Sequence, residues 1–314
     1  MPPKVLAITG PTATGKTRLG VELALRHNGE IVSVDSMQIY RRMDIGTAKP
    51  TMEERRGVPH HMIDVAEPWE SYSVSRFVSE ASACVDDILR RGKLPILVGG
   101  TGLYLDSLLS GRTFAPSPGE TEIRQRLWSR LEQEGMPALF RELQSVDPDS
   151  AKRLHPNDAK RVLRALEVYH LSGETISEHN EATRSLENRY DALVLALSFE
   201  DRDHLKARID RRVDEMVRNG LWEEASRLLA ENLPSDCTAY KAIGYKELFP
   251  ALLGQASRED AVAELKLRSR QYAKRQLTWL RRKSNIHWIL WGAEPDFVKA
   301  IQVSTKCMEE FDLL

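Results

Sequence analysis

An octet near the start of the chain has the spacing of a phosphate-binding loop. GPTATGKT, residues 10–17, follows a short apolar run and opens a helical pattern. In such a loop, backbone N–H groups and the helix N-terminus face phosphate oxygens, a lysine neutralises the terminal phosphate and a threonine can bind Mg²⁺. We therefore expect phosphate binding at Gly10, Pro11, Thr12, Ala13, Thr14, Gly15, Lys16 and Thr17, with Thr17 as the metal ligand.

The acidic residue that ATPases place at the end of another core strand is missing from the obvious position. The apolar run LPILV, residues 94–98, leads into GGTGLY with no carboxylate. In ATPases that carboxylate organises the magnesium and the attacking water. Its absence at this position argues against nucleotide hydrolysis and favours a loop that holds phosphate for another purpose.

A carboxylate does end a different apolar run, in VDSMQIY at residues 34–40. Ligands of open parallel sheets bind at the edge where strands end, so Asp35 should face the same edge as the phosphate loop. An ionised carboxylate there could act as a general base. Taken alone, this residue better fits an aspartate that caps a turn at the strand end. Ser36 and Gln38 beside it add hydrogen-bonding groups that suit the edge of a heterocyclic base.

A concentration of positive charge lies in residues 265–283, which hold eight Lys or Arg and no Asp or Glu, interleaved with Tyr272 and Trp279. Such stripes attract phosphate backbones, and aromatic rings can stack on unpaired bases. The whole chain has a net charge of −1, so this local stripe, and not the overall charge, indicates a nucleic-acid partner.

Two other helical patterns carry clustered cations, and each has two interpretations. In HPNDAKRVLRALEVY, residues 155–169, Lys160 and Arg161 share a face that is either solvated or in contact with phosphates. In RIDRRVDEM, residues 208–216, the arginines form either surface ion pairs with neighbouring acids or a phosphate clamp.

The elements around these residues predict an α/β fold. Strand-type apolar runs occur at residues 4–8, 31–34, 94–98, 192–199 and 286–291. Strands that alternate with helices form a parallel sheet covered by helices. We expect a P-loop NTPase-like parallel sheet core from residues 1–114 and 186–314, and an all-helical insertion domain from residues 115–185. The polar stretch 173–189 is expected to link that domain back to the sheet.

Length and composition are those of a folded protein. The 314 residues are 41% hydrophobic and 29% charged, which is ordinary for a globular chain and excludes extensive disorder. No charged leader, long apolar segment or presequence precedes the first apolar run. We expect a cytoplasmic monomer without membrane contact.

Taken together, the motifs resemble one family along nearly the whole chain: the bacterial-type tRNA dimethylallyltransferases, also called tRNA isopentenyltransferases. The combination is more specific than any single motif, and the absence of a C-terminal zinc finger fits the bacterial type. The segments that carry the resemblance are GPTATGKT, VDSMQIYRRMDIGTAKP (34–50), PHHMIDV (59–65), YSVSRF (72–77), PILVGGTGLYL (95–105), HPNDAKRVLRALEV (155–168), AIGYKE (242–247) and YAKRQLTWLR (272–281).

The resemblance implies transfer of a dimethylallyl group from dimethylallyl diphosphate to the exocyclic N6 amine of the adenosine 3′-adjacent to the anticodon of certain tRNAs. Diphosphate would then be the leaving group, which accounts for the missing hydrolytic carboxylate. The base would be flipped from its stack into a channel, where Asp35 would remove the amine proton. Mg²⁺ is the expected cofactor.

The resemblance also assigns residues to roles. Asp35 and Thr101 are expected to be catalytic, and Arg208 to join the loop in holding the diphosphate. The residues expected to contact the tRNA anticodon arm are Asp35, Ser36, Met37, Gln38, Thr101, Arg124, Ala159, Lys160, Arg161, Val162, Leu163, Lys274 and Arg275.

Two rival functions fit parts of the sequence. A small-molecule or nucleotide kinase explains the phosphate loop and the arginines of RIDRRV, but leaves the basic stripe 265–283 without a task. A non-catalytic, nucleotide-switched RNA-binding protein explains the stripe but not Asp35.

Overall fold

The computed structural model describes residues 2–111, 114, 122–184, 187–234 and 237–314. In these residues the strands are β1 (Lys4–Thr9), β2 (Gly29–Ser33), β3 (His60–His61), β4 (Leu94–Val98), β5 (Asp191–Phe199) and β6 (His287–Trp291). The helices are α1 (Lys16–Arg26), α2 (Met52–Arg55), α3 (Val74–Arg90), α4 (Gly102–Ser110), α5 (Glu122–Glu134), α6 (Met136–Val146), α7 (Pro148–Arg153), α8 (Ala159–Ser172), α9 (Ile176–Arg184), α10 (Arg202–Arg218), α11 (Leu221–Ala230), α12 (Phe249–Leu252), α13 (Arg258–Leu280) and α14 (Phe297–Glu310).

The sheet is parallel, with strand order β3-β2-β4-β1-β5-β6. Every strand predicted from an apolar run is present, which confirms the α/β fold with a parallel sheet core. The two-residue edge strand β3 was not predicted, because His60 and His61 lack an apolar pattern. The sheet places the ends of β2, β4 and β1 side by side at one edge.

The central strands bury both of their faces, as parallel strands covered by helices must. Along β1, Val5 and Ala7 belong to one apolar cluster, while Leu6 and Ile8 belong to the other. One cluster includes α3 and α11 side chains, and the other includes those of α1 and α14. This packing on both faces fixes the sheet whose edge carries the predicted site.

The chain divides into two compact units. One unit comprises Met1–Leu109 and Asn188–Leu314, and the other comprises Ser110–Glu187. The second unit has its own core, built around Leu139, Leu143 and Leu166. The predicted boundaries at residues 115 and 185 lie outside the described residues, so their positions stay predictions.

Helix α9 replaces part of the predicted polar linker 173–189. A capping box explains its start: the Thr175 N–H donates to Glu178 Oε2 at 2.8 Å, and the Glu178 N–H donates to Thr175 Oγ1 at 3.1 Å. Residues 176–184 of this polar stretch are therefore helical, because the capping residues determine the structure where apolar periodicity is weak.

Among the helices in the described part of the chain, none is long and apolar enough to cross a membrane.

Candidate active site

The predicted chemical groups meet at the sheet edge where β2, β4 and β1 end. Backbone hydrogen bonds connect the segments that leave these strands: Gly99 N–H donates to Ile8 O at 3.1 Å, and Thr101 N–H donates to Val34 O at 3.3 Å. A Cβ atom on Gly99 would lie 2.0 Å from Val34 O, so only glycine permits this approach. The close backbone contact brings Thr101 next to Asp35 and the phosphate loop.

The phosphate loop joins β1 to α1 through backbone conformations that suit glycine. Gly10 has φ of 142°, and a Cβ there would lie 2.3 Å from Leu197 O. Gly15 has φ of 84° and precedes α1. The Thr14 hydroxyl donates to Pro11 O at 2.9 Å, while the Trp291 indole donates to Thr14 O at 2.9 Å. These bonds show that Thr14 supports the loop from within, and its contact with diphosphate stays a prediction.

Lys16 lies in a strongly perturbed environment. Its Nζ donates to Pro11 O at 2.7 Å. Burial, and to a lesser extent the positive charge of Arg212, lower the pKa of Lys16 to about 7, while the negative charge of Asp35 opposes both effects. A bound anion would therefore restore the charge that burial disfavours.

Two arginines of α10 reach the phosphate loop. Arg208 Nε donates to Ala13 O at 3.4 Å, and its Nη1 pairs with Glu294 at 2.9 Å. Arg212 Nη1 donates to Thr12 Oγ1 at 3.3 Å. Burial lowers the pKa of Arg212, and Asp35 acts in the opposite sense. Arg212 was not among the predicted site residues. The RIDRRV pattern could have identified it, because Arg212 lies one helical turn after Arg208 and therefore on the same face.

Asp35 caps a turn with one of its two carboxylate oxygens. Its Oδ1 accepts hydrogen bonds from Met37 N–H at 2.9 Å and Gln38 N–H at 3.4 Å. Within the described residues these bonds go to Oδ1, so Oδ2 is the oxygen that we expect to accept a proton. Beside it, Ser36 N–H donates to Thr101 Oγ1 at 3.1 Å. The two interpretations of Asp35 are therefore compatible.

Gln38 and Met37 lie in the same turn and are partly buried. Gln38 Oε1 accepts from the Ser33 hydroxyl at 2.9 Å, and its Nε2 donates to Thr47 O at 3.4 Å and Ala48 O at 3.2 Å. The side-chain amide is thus held by protein groups. Reading a base with this amide would require it to share or exchange these partners.

Tyr272 reaches the site from α13, although its sequence context indicated a base-stacking residue. Burial and, less strongly, the negative charge of Asp35 raise the pKa of Tyr272 to about 12, while hydrogen bonds to Thr101 and Gln276 act in the opposite sense. Gln276, one helical turn further on, is buried and hydrogen-bonds to both the phosphate loop and Gly100. No local signal distinguished Gln276, because a glutamine in a basic stripe looks like a surface residue.

The eight cations of the basic stripe 265–283 fall into two groups, those paired with an acidic side chain and those that are unpaired. Lys266 pairs with Asp214 at 2.6 Å, and Arg270 Nη1 donates to both oxygens of Asp210 at 2.7 Å. Lys283 pairs with Asp106 at 2.6 Å, and Arg268 with Glu264 at 2.6 Å. The cations that are exposed and have no acidic partner among the described residues are Lys274, Arg275, Arg281 and Arg282.

Trp279 also differs from its expected role as a stacking residue. Its Nε1 donates to Asp106 Oδ2 at 3.1 Å, and its ring lies against Gly102, where a Cβ atom would come within 2.4 Å. The ring is partly buried and anchors α13 to α4.

The predicted tRNA-binding residues of the second unit have mixed surroundings. Lys160 and Arg161 are exposed in the first turn of α8, which Asp158 caps. Val162 and Leu163 are buried in the core of this unit, so their side chains cannot face RNA. Arg124 pairs with the buried carboxylate of Glu167 at 3.0 Å, which is a structural task.

Two family models match the chain. The model described as IPP transferase matches residues 38–283, and the model described as Isopentenyl transferase matches residues 3–66. Among curated proteins, a tRNA dimethylallyltransferase of Caldanaerobacter subterraneus subsp. tengcongensis is 46% identical over 91% of this chain and 91% of its own. A tRNA dimethylallyltransferase of Bacillus cytotoxicus is 48% identical over 91% of this chain and 89% of its own.

Solved structures show the same relationship. The full-length tRNA isopentenylpyrophosphate transferase of Bacillus halodurans is 42% identical, with a TM-score of 0.72 over 99% of this chain and 98% of that chain. A structure described as crystallographic snapshots of a eukaryotic dimethylallyltransferase acting on tRNA is 32% identical, with a TM-score of 0.85 over 98% of this chain and 80% of that chain.

Proposed function

The chain belongs to the IPP transferase family of tRNA dimethylallyltransferases, which are prenyltransferases, and from this premise we propose the chemistry of its site. The dimethylallyl group of dimethylallyl diphosphate is transferred to the exocyclic N6 amine of the adenosine 3′-adjacent to the anticodon of certain tRNAs. The N6–C1 bond forms, the C1–O bond breaks and its electron pair leaves with diphosphate, while the amine proton goes to Asp35.

One observation carries this proposal: the cationic phosphate loop at the end of β1 and Asp35 after β2 lie at the same sheet edge, on either side of β4 and its Thr101 turn. The loop with Lys16 and Arg212 provides the place where negative charge develops on the leaving group. Asp35 stands beside Thr101 and Tyr272, where an amine could be deprotonated as the new bond forms. The negative charge of Asp35 acts to raise the pKa of Lys16, against the effect of burial.

The residues at the loop fit a magnesium ion that is held mainly by substrate. In the described residues, no three His, Cys, Asp or Glu side chains come together to hold a metal ion. Mg²⁺ commonly keeps several waters and binds through substrate phosphates. Thr17 is partly exposed at the start of α1 and would supply the protein ligand. When bound, the ion would neutralise charge on the diphosphate oxygens.

The unpaired cations of the basic stripe 265–283 support an RNA-facing surface. A groove of about 430 Å³ lies along this helix and is lined by Gln271, Lys274, Arg275, Thr278, Trp279 and Arg282. Exposed cations without acidic partners are free to contact phosphates. The target adenosine, which is stacked in the anticodon arm, must leave the stack to reach Asp35. In the second unit the exposed Lys160 is the better candidate for a phosphate contact, because Arg161 Nη1 pairs with Asp158 at 3.2 Å.

The test uses radiolabelled dimethylallyl diphosphate, unmodified tRNA and Mg²⁺, with ATP in place of the prenyl donor as the comparison. We expect label in the tRNA at the adenosine following the anticodon, and release of diphosphate in equal amount. Nuclease digestion and chromatography of the nucleosides locate the label. If no label is found in the tRNA and phosphate is released from ATP, the proposal is rejected in favour of a kinase or nucleotide switch.

A further inference from the structure

The side chain of Gln276 lies at the junction between the two halves of the site. It is buried, with 7% of its surface exposed. Its Oε1 accepts a hydrogen bond from Thr12 N–H at 3.0 Å, and its Nε2 donates to Gly100 O at 2.9 Å. Thr12 belongs to the phosphate loop, and Gly100 precedes Thr101. One amide group thus connects the loop that would hold the leaving group to the turn that borders Asp35.

The two partners determine the orientation of this amide. Thr12 N–H can only donate and Gly100 C=O can only accept, so the oxygen must face the loop and the nitrogen must face the turn. The approach is close: a Cβ atom on Gly100 would lie 2.2 Å from Gln276 Nε2 and 3.2 Å from Gly10 O. Because the contact is buried, a side chain without both functions would leave backbone groups unsatisfied.

The groups around the bridge are those on which the reaction depends. Thr12 Oγ1 accepts from Arg212, and Thr101 Oγ1 accepts from Ser36 N–H next to Asp35. Displacement of either end would change the distance between the leaving-group pocket and the general base. Misplacement of reacting groups by about 1 Å can cost on the order of 10²-fold in rate.

We propose that Gln276 is a positioning residue that sets the alignment of the phosphate loop with the Thr101 turn. This inference rests on the proposed function and adds to it a residue that acts through its neighbours without touching either substrate. Helix α13 thus exposes Lys274 and Arg275 on one face, while Gln276 on its buried face holds the phosphate loop and the Thr101 turn in register.

The first variant is Gln276→Met, which has a similar length and neither hydrogen-bonding function. In protein shown to be folded by its melting temperature, we expect kcat to fall by about 10- to 100-fold with both substrates saturating. We expect weaker binding of inorganic diphosphate, by about threefold to tenfold, and a tRNA dissociation constant within twofold of the parent. A loss of folded protein alone would leave kcat per folded molecule unchanged.

The second variant is Gln276→Glu, which keeps the shape and the acceptor for Thr12 N–H but turns an acceptor towards Gly100 O. It carries the test if the methionine variant fails to fold, and we expect a similar fall in kcat. Gln302→Met on α14 is the matched control, since Gln302 is exposed. It should match the parent in every measurement.

Wild-type transfer of label to tRNA is measured first, and its failure would reject the proposed function and not the role of Gln276 alone. If the parent is active, a folded Gln276→Met or Gln276→Glu enzyme with kcat within twofold of the parent overturns the positioning role.

Discussion

Asp35 has a structural task in its turn beside the chemical task that we propose for it, which determines how the proposed role can be tested. Oδ1 holds the turn at Met37 and Gln38, and an asparagine in its place could keep these bonds through its amide oxygen. An asparagine cannot accept the amine proton. Substitution by asparagine therefore separates the two tasks better than substitution by alanine.

For Asp35→Asn we expect kcat to fall by about 10²- to 10⁴-fold, the usual contribution of a general base, with tRNA affinity largely kept. Single-turnover prenylation and filter binding measure the two quantities. Glu223→Gln, which removes an exposed carboxylate on α11, is the matched control and should leave both unchanged. An Asp35→Asn enzyme with kcat within tenfold of the parent would reject the assigned role.

Lys16 makes diphosphate binding depend on pH in a predictable direction. Because its pKa is lowered to about 7 in the free protein, Lys16 is mainly neutral above that pH and mainly charged below it. A bound diphosphate favours the charged form and raises the pKa again. Binding at about pH 8 should therefore take up close to one proton, and binding at about pH 6 should take up much less.

Calorimetry in buffers of different ionisation enthalpy measures this uptake with dimethylallyl diphosphate. Lys16→Arg is the control, because a guanidinium is charged at both pH values and should abolish the difference that Lys16 contributes. Equal proton uptake by the parent and Lys16→Arg proteins at about pH 8 would contradict the expectation.

Helix α13 has two different faces, and the difference gives its cations different effects. Its buried face presents Tyr272 and Gln276 to the site, and its N-terminal cations Lys266 and Arg270 pair with acids of α10. Lys274 and Arg275 are exposed. Only the unpaired cations should contribute to RNA binding, since a paired cation would first have to give up its acidic partner.

For the double substitution Lys274→Gln with Arg275→Gln, we expect weaker tRNA binding and a salt dependence whose slope is shallower by about 1.5, because each phosphate contact contributes about 0.7 to 0.9. Filter binding over a range of salt concentrations measures this slope. The matched control is Lys266→Gln with Arg268→Gln on the same helix, where the slope should not change. Identical slopes in the parent and the Lys274/Arg275 variant would count against an RNA-facing α13.

The molecule as a whole has two compact units with separate cores, and this predicts that the cores fail separately. Leu139 is fully buried in the second unit, and Leu195 of β5 is fully buried in the first. Replacement of a buried leucine by alanine typically costs about 2–5 kcal/mol. Each loss of stability should appear first in the unit that contains the substitution.

Hydrogen exchange followed by mass spectrometry tests this expectation. In Leu139→Ala, amides of α6 and α8 should exchange faster while those of β1 and β4 keep their protection; Leu195→Ala should show the opposite pattern. Uniformly faster exchange in both units for either variant would contradict independent cores.

Local features allowed much of the fold and part of the site to be predicted. GPTATGKT fixes its own loop because Gly10 and Gly15 adopt positive φ angles and the next residues start a helix. Apolar runs predicted all strands except β3, and Asp35 follows β2 as expected. The prediction was poorest where local pattern is weak, as in α9, and where one pattern had two interpretations, as in the stripe of α13.

The amino-acid sequence alone determined the phosphate loop, the parallel sheet and the presence of a basic helix, because each depends on residues close together in the chain. The tertiary structure alone decided which cations of that helix are paired, that Arg212 reaches Thr12, and that Gln276 joins Thr12 to Gly100. Thr12 and Gln276 are 264 positions apart, and their contact depends on how α13 packs against the sheet edge. Spacing along the chain carries no information about such packing, so the alignment of the phosphate loop with the Thr101 turn appears only in the folded molecule.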